Sequence, residues 1–132
     1  MSRPCPCTSS KPYDRCCGPL HDGRSVAETA EQLMRSRFSA YALGKVDYLI
    51  ATRPEAKRGD EDRAELARYC QSVRCVGLKI MAREQGGSAD DTGTVTFHAS
   101  LQANGRRTLH IETSTFAREN GKWMYVDGVV RS

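Results

Sequence analysis

The sequence predicts an α+β fold in which a short cysteine-rich segment precedes a set of helices and then an antiparallel sheet. Residues 1–24 show no periodicity, but from Ser25 to Gln71 the apolar residues recur at helical spacing, and beyond Gln71 they alternate with polar residues as in half-buried strands. Two Asn-Gly pairs, Asn104-Gly105 and Asn120-Gly121, predict tight hairpin turns between consecutive strands. Helices followed by an antiparallel meander are typical of the α+β class.

Three helices are predicted before the sheet. The run from Ser25 to Glu28 fits a capping box, and apolar residues at helical spacing then continue to a stop at Gly44. A short helix is expected over about 46–51, ended by Pro54, and a third over 59–70.

Four strands are predicted, at about 76–82, 95–101, 108–118 and 122–129. Two-residue turns at both Asn-Gly pairs would place Ala99 opposite His110 and Ser114 opposite Asp127. Residues paired across an antiparallel ladder point to the same face. That face also carries apolar side chains, so it is expected to meet the helices.

Composition favours an ordinary globular protein. The 132 residues are 39% hydrophobic and 27% charged, with a formal net charge of +4. This mild surplus does not by itself indicate a nucleic-acid or membrane binder. No apolar run of about 18 residues predicts a membrane span, and none near Met1 resembles a signal peptide, so we expect a cytoplasmic protein with no membrane partner.

Four of the six cysteines fall within a short segment, as Cys5-Pro6-Cys7 and Cys16-Cys17. Two close pairs joined by a short loop can wrap one zinc ion, which prefers four thiolates at tetrahedral corners. Disulfides would require an oxidising compartment, which nothing in the sequence indicates. The pattern therefore predicts one structural Zn²⁺ per chain, with His21 as a spare ligand should Cys17 point away.

The segment Cys5–Gly18 resembles a SEC-C motif, which also ends the translocation ATPase SecA. The whole chain resembles the YchJ-like family, which pairs this motif with an NTF2-like domain. Two further stretches carry the likeness, Leu33–Leu49 and Leu109–Gly128. One departure is Thr8-Ser9-Ser10, where SEC-C motifs usually read Gly-Ser-Gly; it implies a strained knuckle or a reshaped surface.

The resemblance implies a zinc-binding SEC-C knuckle at 1–24 and an NTF2-like cone at 25–132. It also implies a non-enzymatic interaction or adaptor protein, because SEC-C motifs are thought to contact protein or ribosome surfaces. Many NTF2-like domains dimerise through the outer sheet face, so a homodimer is a further expectation. The resemblance supplies no established biochemical activity.

A polar cluster is predicted on the inner face of the sheet. The expected register brings together residues of the last two strands: His110, Glu112, Ser114, Trp123, Tyr125 and Asp127. Polar groups on a largely apolar face must be paired or hydrated. They could form a structural hydrogen-bond network or a pocket for a small-molecule ligand. They could also form an active site, with Asp127 or Glu112 as base and His110 as proton shuttle.

Overall fold

The computed structural model describes residues 3–131, which form an α+β structure as predicted. A 3-10 turn at Tyr13–Arg15 precedes the α-helices, which are α1 (Gly18–His21), α2 (Ala30–Leu43), α3 (Val46–Ala51), α4 (Glu55–Arg58) and α5 (Arg63–Ser72). The strands are β1 (Arg74–Gln85), β2 (Thr92–Ala103), β3 (Arg106–Glu119) and β4 (Lys122–Arg131). None of these helices combines the length and the hydrophobicity that crossing a bilayer requires.

The main helix, α2, begins later than the sequence predicted. Its N-cap is Thr29, whose hydroxyl accepts a hydrogen bond from the Gln32 amide at 3.1 Å. The Gln32 side chain reaches back to the Glu28 amide at 2.7 Å. The predicted capping box at Ser25 was therefore wrong, because Thr29 and Gln32 supply the same chemistry one turn further on. Val26 is 59% exposed and is not part of the apolar stripe.

The helix predicted over 59–70 begins later, as α5, and the separate short helix α4 ends at Arg58, before the predicted start. Asp62 is the N-cap of α5, and its carboxylate accepts a hydrogen bond from the Glu65 amide at 3.1 Å. An N-cap at this position fixes the start of α5, so the chain before it turns instead of continuing a helix. The short helix predicted over 46–51 is confirmed as α3.

The four strands form one antiparallel sheet in the order β1-β2-β3-β4. Asn104, Gly105, Asn120 and Gly121 all have φ between 53° and 81°, which confirms the two predicted turns. The β2–β3 register is also confirmed, with Ala99 opposite His110 and Phe97 opposite Glu112.

The β3–β4 register differs from the prediction beyond Phe116. Phe116 pairs with Tyr125 as expected, but Thr115 pairs with Asp127 and Ser114 with Gly128. One extra residue, Val126, therefore forms a bulge in β4. The pairing of Ser114 with Asp127 was wrong, and Asp127 points to the outer face, where it is exposed.

The core lies between α2 and the inner face of the sheet. Helix α2 contributes Leu33, Met34 and Phe38, which pack against Val95, Phe97, Phe116 and Trp123. Cys5, Cys7 and Cys17 belong to the same continuous core cluster. The N-terminal segment is thus packed onto the helix-and-sheet body.

Candidate metal centre and sheet cavity

The sulfur atoms of the four N-terminal cysteines converge on one point. The Sγ atoms of Cys5, Cys7, Cys16 and Cys17 all lie within 4.8 Å of one another. The Cys7–Cys16 and Cys16–Cys17 separations are 3.6 Å and 4.0 Å. Four sulfurs bound to zinc at about 2.3 Å would be about 3.8 Å apart along each edge of a tetrahedron. The set therefore has the ligand type and the size that zinc requires.

Local backbone structure holds the two cysteine pairs in place. Pro4 and Pro12 form an isolated antiparallel bridge, and the Cys5 amide donates to the Lys11 carbonyl at 2.9 Å. The 3-10 turn then directs Cys16, whose amide donates to the Tyr13 carbonyl at 3.1 Å. Adjacent side chains usually diverge, so Cys16 and Cys17 can face one metal only where the backbone bends sharply. The bend is the junction between the 3-10 turn and α1. We call residues 3–24 of this segment the knuckle.

The thiols of the knuckle strongly affect one another. A hydrogen bond with Cys17 lowers the pKa of the Cys7 thiol to about 4. The same contact raises the pKa of Cys17, and burial raises that of Cys16. Thiols this close cannot all ionise in the absence of a cation, because the resulting thiolates would repel one another. A divalent cation would remove this conflict, because coordination deprotonates thiols outright.

Two hydroxyl groups contact the sulfur atoms from outside the tetrahedron. The Ser9 Oγ lies 3.2 Å from the Cys16 Sγ, and the Ser39 Oγ of α2 lies 3.4 Å from the Cys5 Sγ. Hydroxyl donors at these distances stabilise thiolate charge and orient the ligands. Ser39 is fully buried, so it also ties the knuckle to the main helix.

His21 has another role than the spare ligand predicted from the sequence. Its Nε2 lies 2.7 Å from the Ser36 carbonyl oxygen, which only accepts, so Nε2 must carry the proton. Its Nδ1 then accepts from the Tyr13 hydroxyl, also at 2.7 Å. Both ring nitrogens are engaged, and His21 serves as a hydrogen-bonded link between α1 and α2.

The Thr8-Ser9-Ser10 loop has the backbone conformation that favours glycine. Thr8 and Ser10 have φ of 61° and 74°, a region that costs side-chain-bearing residues free energy. Thr8 offsets part of this cost, because its hydroxyl donates to the Leu78 carbonyl at 3.0 Å and accepts from the Leu78 amide at 3.2 Å. These bonds anchor the knuckle to β1.

A cavity of about 190 Å³ lies between the helices and the inner face of the sheet. We call it the sheet cavity. Its helix side is formed by Met34, Arg37, Phe38, Tyr41 and Tyr69, and its sheet side includes Phe97, Leu101, His110, Glu112, Ser114 and Tyr125.

The Glu112 carboxylate is the centre of a hydrogen-bond network in the sheet cavity. His110 Nε2 lies 2.9 Å from Oε1, while Ser114 and Tyr125 donate to Oε2 at 2.6 Å and 3.0 Å. Burial raises the pKa of the Glu112 carboxyl, but these donors outweigh it and the net pKa is lowered. Glu112 is therefore an ionised carboxylate whose two oxygens are both engaged.

Gly128 permits this network to form. A Cβ at this position would overlap Glu112 Oε2, lie 2.6 Å from its Cδ and lie 2.9 Å from the Tyr125 hydroxyl. Position 128 therefore requires glycine because the Glu112 and Tyr125 side chains approach the backbone closely there.

Two arginines flank the Tyr125 ring. The Arg37 guanidinium carbon lies 4.5 Å from the ring centroid, and that of Arg53 lies 5.0 Å from it. Arg53 Nε lies 3.1 Å from a Glu61 carboxylate oxygen. Arg37 is 6% exposed, and its Nη1 donates to the Leu49 carbonyl at 2.8 Å and to the Thr52 hydroxyl. Burial lowers the pKa of Arg37.

The chain is similar in sequence to a known protein family. The family profile described as the YchJ middle NTF2-like domain matches residues 29–128. The chain belongs to the YchJ-like family. A UPF0225 protein from Vibrio parahaemolyticus is 38% identical over 97% of this chain and 75% of its own length. One from Streptomyces coelicolor is 41% identical over 95% of this chain and 94% of its own length.

Solved structures extend the YchJ-like likeness to the knuckle. A SEC-C motif containing protein from Rhodopseudomonas palustris has a TM-score of 0.87 and 32% identity, with full coverage of both chains. One from Psychrobacter arcticus has a TM-score of 0.80 and 28% identity, over all of this chain and 84% of its own. The NTF2-like cone preceded by a cysteine knuckle, expected from the resemblance, is therefore confirmed.

The YchJ-like fold places some of the predicted pocket residues together and separates others. His110, Glu112, Ser114 and Tyr125 line the sheet cavity, whereas Asp127 lies on the outer face. Trp123 is buried, but its indole N–H donates to the Glu28 carbonyl at 3.1 Å, beneath the start of α2.

Arg37 lines the cavity and Gly128 adjoins the Glu112 network, and neither was among the residues predicted for the pocket. Arg37 follows Leu33 by one helical turn, so helical spacing already placed it on the buried face of α2. The role of Gly128 depends on the bulge in β4, for which the sequence carries no signal.

Proposed function

We propose that the knuckle binds one Zn²⁺ through Cys5, Cys7, Cys16 and Cys17 and serves as a recognition module for a macromolecular partner. The observation that most directly supports metal binding is that the four sulfur atoms lie within 4.8 Å of one another. Four thiolates complete the coordination of zinc and leave no position for a water or a substrate. The metal would therefore stabilise the loop and not perform chemistry.

The exposed surface of the knuckle indicates what kind of partner it would contact. Lys11 and Arg15 are exposed on the loop and on the 3-10 turn, and both border the groove between the knuckle and α2. Asp22 and Arg24, by contrast, form an ion pair at 2.8 Å. An acidic surface on a protein or on the ribosome complements this arrangement.

Affinity capture with charge-reversed variants tests the recognition role without removing the metal. The Lys11→Glu, Arg15→Glu double variant changes only exposed side chains, and Arg106→Glu, Arg107→Glu at the exposed start of β3 is a control of equal charge change. We expect the first to lose partners that the wild type and the control retain. Cys5→Ser and Cys16→Ser should lose the same partners, because the loop needs its metal. Identical partner lists for all variants would refute the recognition role.

The sheet cavity supports a second function, the binding of a small molecule. The specific observation is the guanidinium of Arg37, which is buried beside the cavity without a carboxylate within 4.0 Å among residues 3–131. An enzymatic use of the cavity is not favoured. Asp127 lies elsewhere, and Glu112 already accepts hydrogen bonds on both oxygens.

A further inference from the structure

Arg37 carries a buried charge that no carboxylate within residues 3–131 neutralises by direct contact. It comes from the inner face of α2 and is 6% exposed. Buried guanidinium groups are normally paired with a carboxylate, because leaving the charge alone in a low-dielectric site is costly. Arg37 instead contacts a carbonyl, a hydroxyl and the face of Tyr125.

The hydrogen bonds of Arg37 leave part of its guanidinium available. The Leu49 carbonyl and the Thr52 hydroxyl both accept from Nη1. A guanidinium has five N–H bonds, two of which are on Nη1. The other three, on Nε and Nη2, have no acceptor within the part of the chain that the structure describes. Neither atom is among the fully buried atoms without a partner, so both can be reached by water or a ligand.

The rest of the sheet cavity is mainly apolar and aromatic. Phe38, Tyr41, Phe97 and Leu101 contribute walls, and the volume of about 190 Å³ corresponds to about six water molecules at ~30 Å³ each. A single ring or a short aliphatic chain fits this space. We infer that the sheet cavity binds a small monocarboxylate, with its carboxylate on Arg37 and its apolar body against the aromatic walls. This inference deepens the cavity-binding function proposed above and is independent of the metal centre.

The second ionised group at the cavity does not exclude such a ligand. Glu112 bears a negative charge, but three donors surround its oxygens: His110, Ser114 and Tyr125. These donors stabilise the charge of Glu112. The Arg37 guanidinium is positioned separately, by its place on α2 and its hydrogen bond to the Leu49 carbonyl of α3. A carboxylate can accept two parallel N–H bonds from the free edge of a guanidinium, the geometry that gives such pairs their strength.

Binding of matched carboxylates and amides tests the inference. The probes are benzoate, 3-phenylpropionate and hexanoate, each compared with its neutral amide at millimolar concentration. Binding is followed by NMR of the ¹⁵N-labelled, metal-loaded chain, including the Nε–H resonance of Arg37. We expect at least one carboxylate to shift that resonance and to bind roughly tenfold to hundredfold more tightly than its amide.

Three variants locate the bound probe. Arg37→Gln should remove the preference for the carboxylate, while Leu101→Trp, which fills the cavity and keeps the arginine, should weaken acid and amide together. Arg24→Gln, at an exposed arginine of the knuckle, should change neither. Equal binding of acids and amides would overturn the inference and leave the cavity-binding function standing. Failure of all six probes would overturn both.

Discussion

The loop that connects the two cysteine pairs stores backbone strain, and glycine substitution should release it. Ser10 has φ of 74°, is exposed, and makes no hydrogen bond through its side chain within residues 3–131. Thr8 has φ of 61°, but its hydroxyl forms two hydrogen bonds with the backbone of Leu78. The same change to glycine should therefore have opposite effects at the two positions.

The magnitudes follow from these contacts. Left-handed backbone costs a side-chain-bearing residue about 1–2 kcal/mol relative to glycine. The greater freedom of glycine in the unfolded chain takes back about 0.5–1 kcal/mol. Ser10→Gly should thus stabilise the fold by about 0.5–1 kcal/mol. Thr8→Gly gains the same amount but loses two hydrogen bonds of about 0.5–1.5 kcal/mol each, for a net destabilisation of about 1 kcal/mol.

Thermal unfolding of the metal-loaded protein measures both effects. At about 4 °C per kcal/mol, Ser10→Gly should raise Tm by about 2–4 °C and Thr8→Gly should lower it by about 4 °C. Thr8→Ser is the matched control, because it keeps the hydroxyl and should stay close to the wild type. A lower Tm for Ser10→Gly would show that its backbone is not strained, and an equal rise for both glycine variants would show that the Thr8 hydroxyl does not stabilise the fold.

Three other predictions concern the sheet cavity and the metal centre. Gly128→Ala should reduce the free energy of unfolding by about 1–3 kcal/mol, measured by urea denaturation, because the new methyl group overlaps the Glu112 carboxylate; wild-type stability would contradict the crowding. Since hydrogen bonds lower the folded-state pKa of Glu112, its stabilisation should be complete above the unfolded-state pKa of about 4.3 and disappear as pH falls through the folded value. The Glu112→Gln variant should lack this loss of stability at low pH. If its unfolding free energy depends on pH as the wild type's does, Glu112 is not the group responsible. Ser39→Ala should weaken metal binding by about 10- to 100-fold in competition with a chromophoric chelator, because Cys5 loses a hydroxyl contact; unchanged affinity would exclude that role.

The sequence predicts the parts of this fold that local chemistry controls. The Asn-Gly turns fix their own conformation and thereby the β2–β3 register. The grouping of four cysteines is likewise readable from spacing, because two close pairs reach one point whatever packs around them. Both features require only a few neighbouring residues.

Features that depend on packing could not be predicted in the same way. The bulge at Val126 has neither glycine nor proline to mark it, yet it moves Asp127 to the outer face. Arg37 lies on the buried stripe of α2, but the general rule that arginine is solvated outweighed its helical position. The contact of Ser39 with Cys5 depends on how α2 meets the knuckle, which is a long-range property.

X-ray absorption at the zinc edge, on protein prepared under reducing conditions, tests the metal centre most directly. We expect one zinc per chain with four sulfur neighbours at about 2.3 Å and no oxygen neighbour. In the Cys16→Ser variant the sulfur count should fall by one. A wild-type centre with fewer than four sulfurs, an oxygen neighbour, or no stoichiometric zinc would contradict the closed tetrahedron on which the proposed role of the knuckle depends.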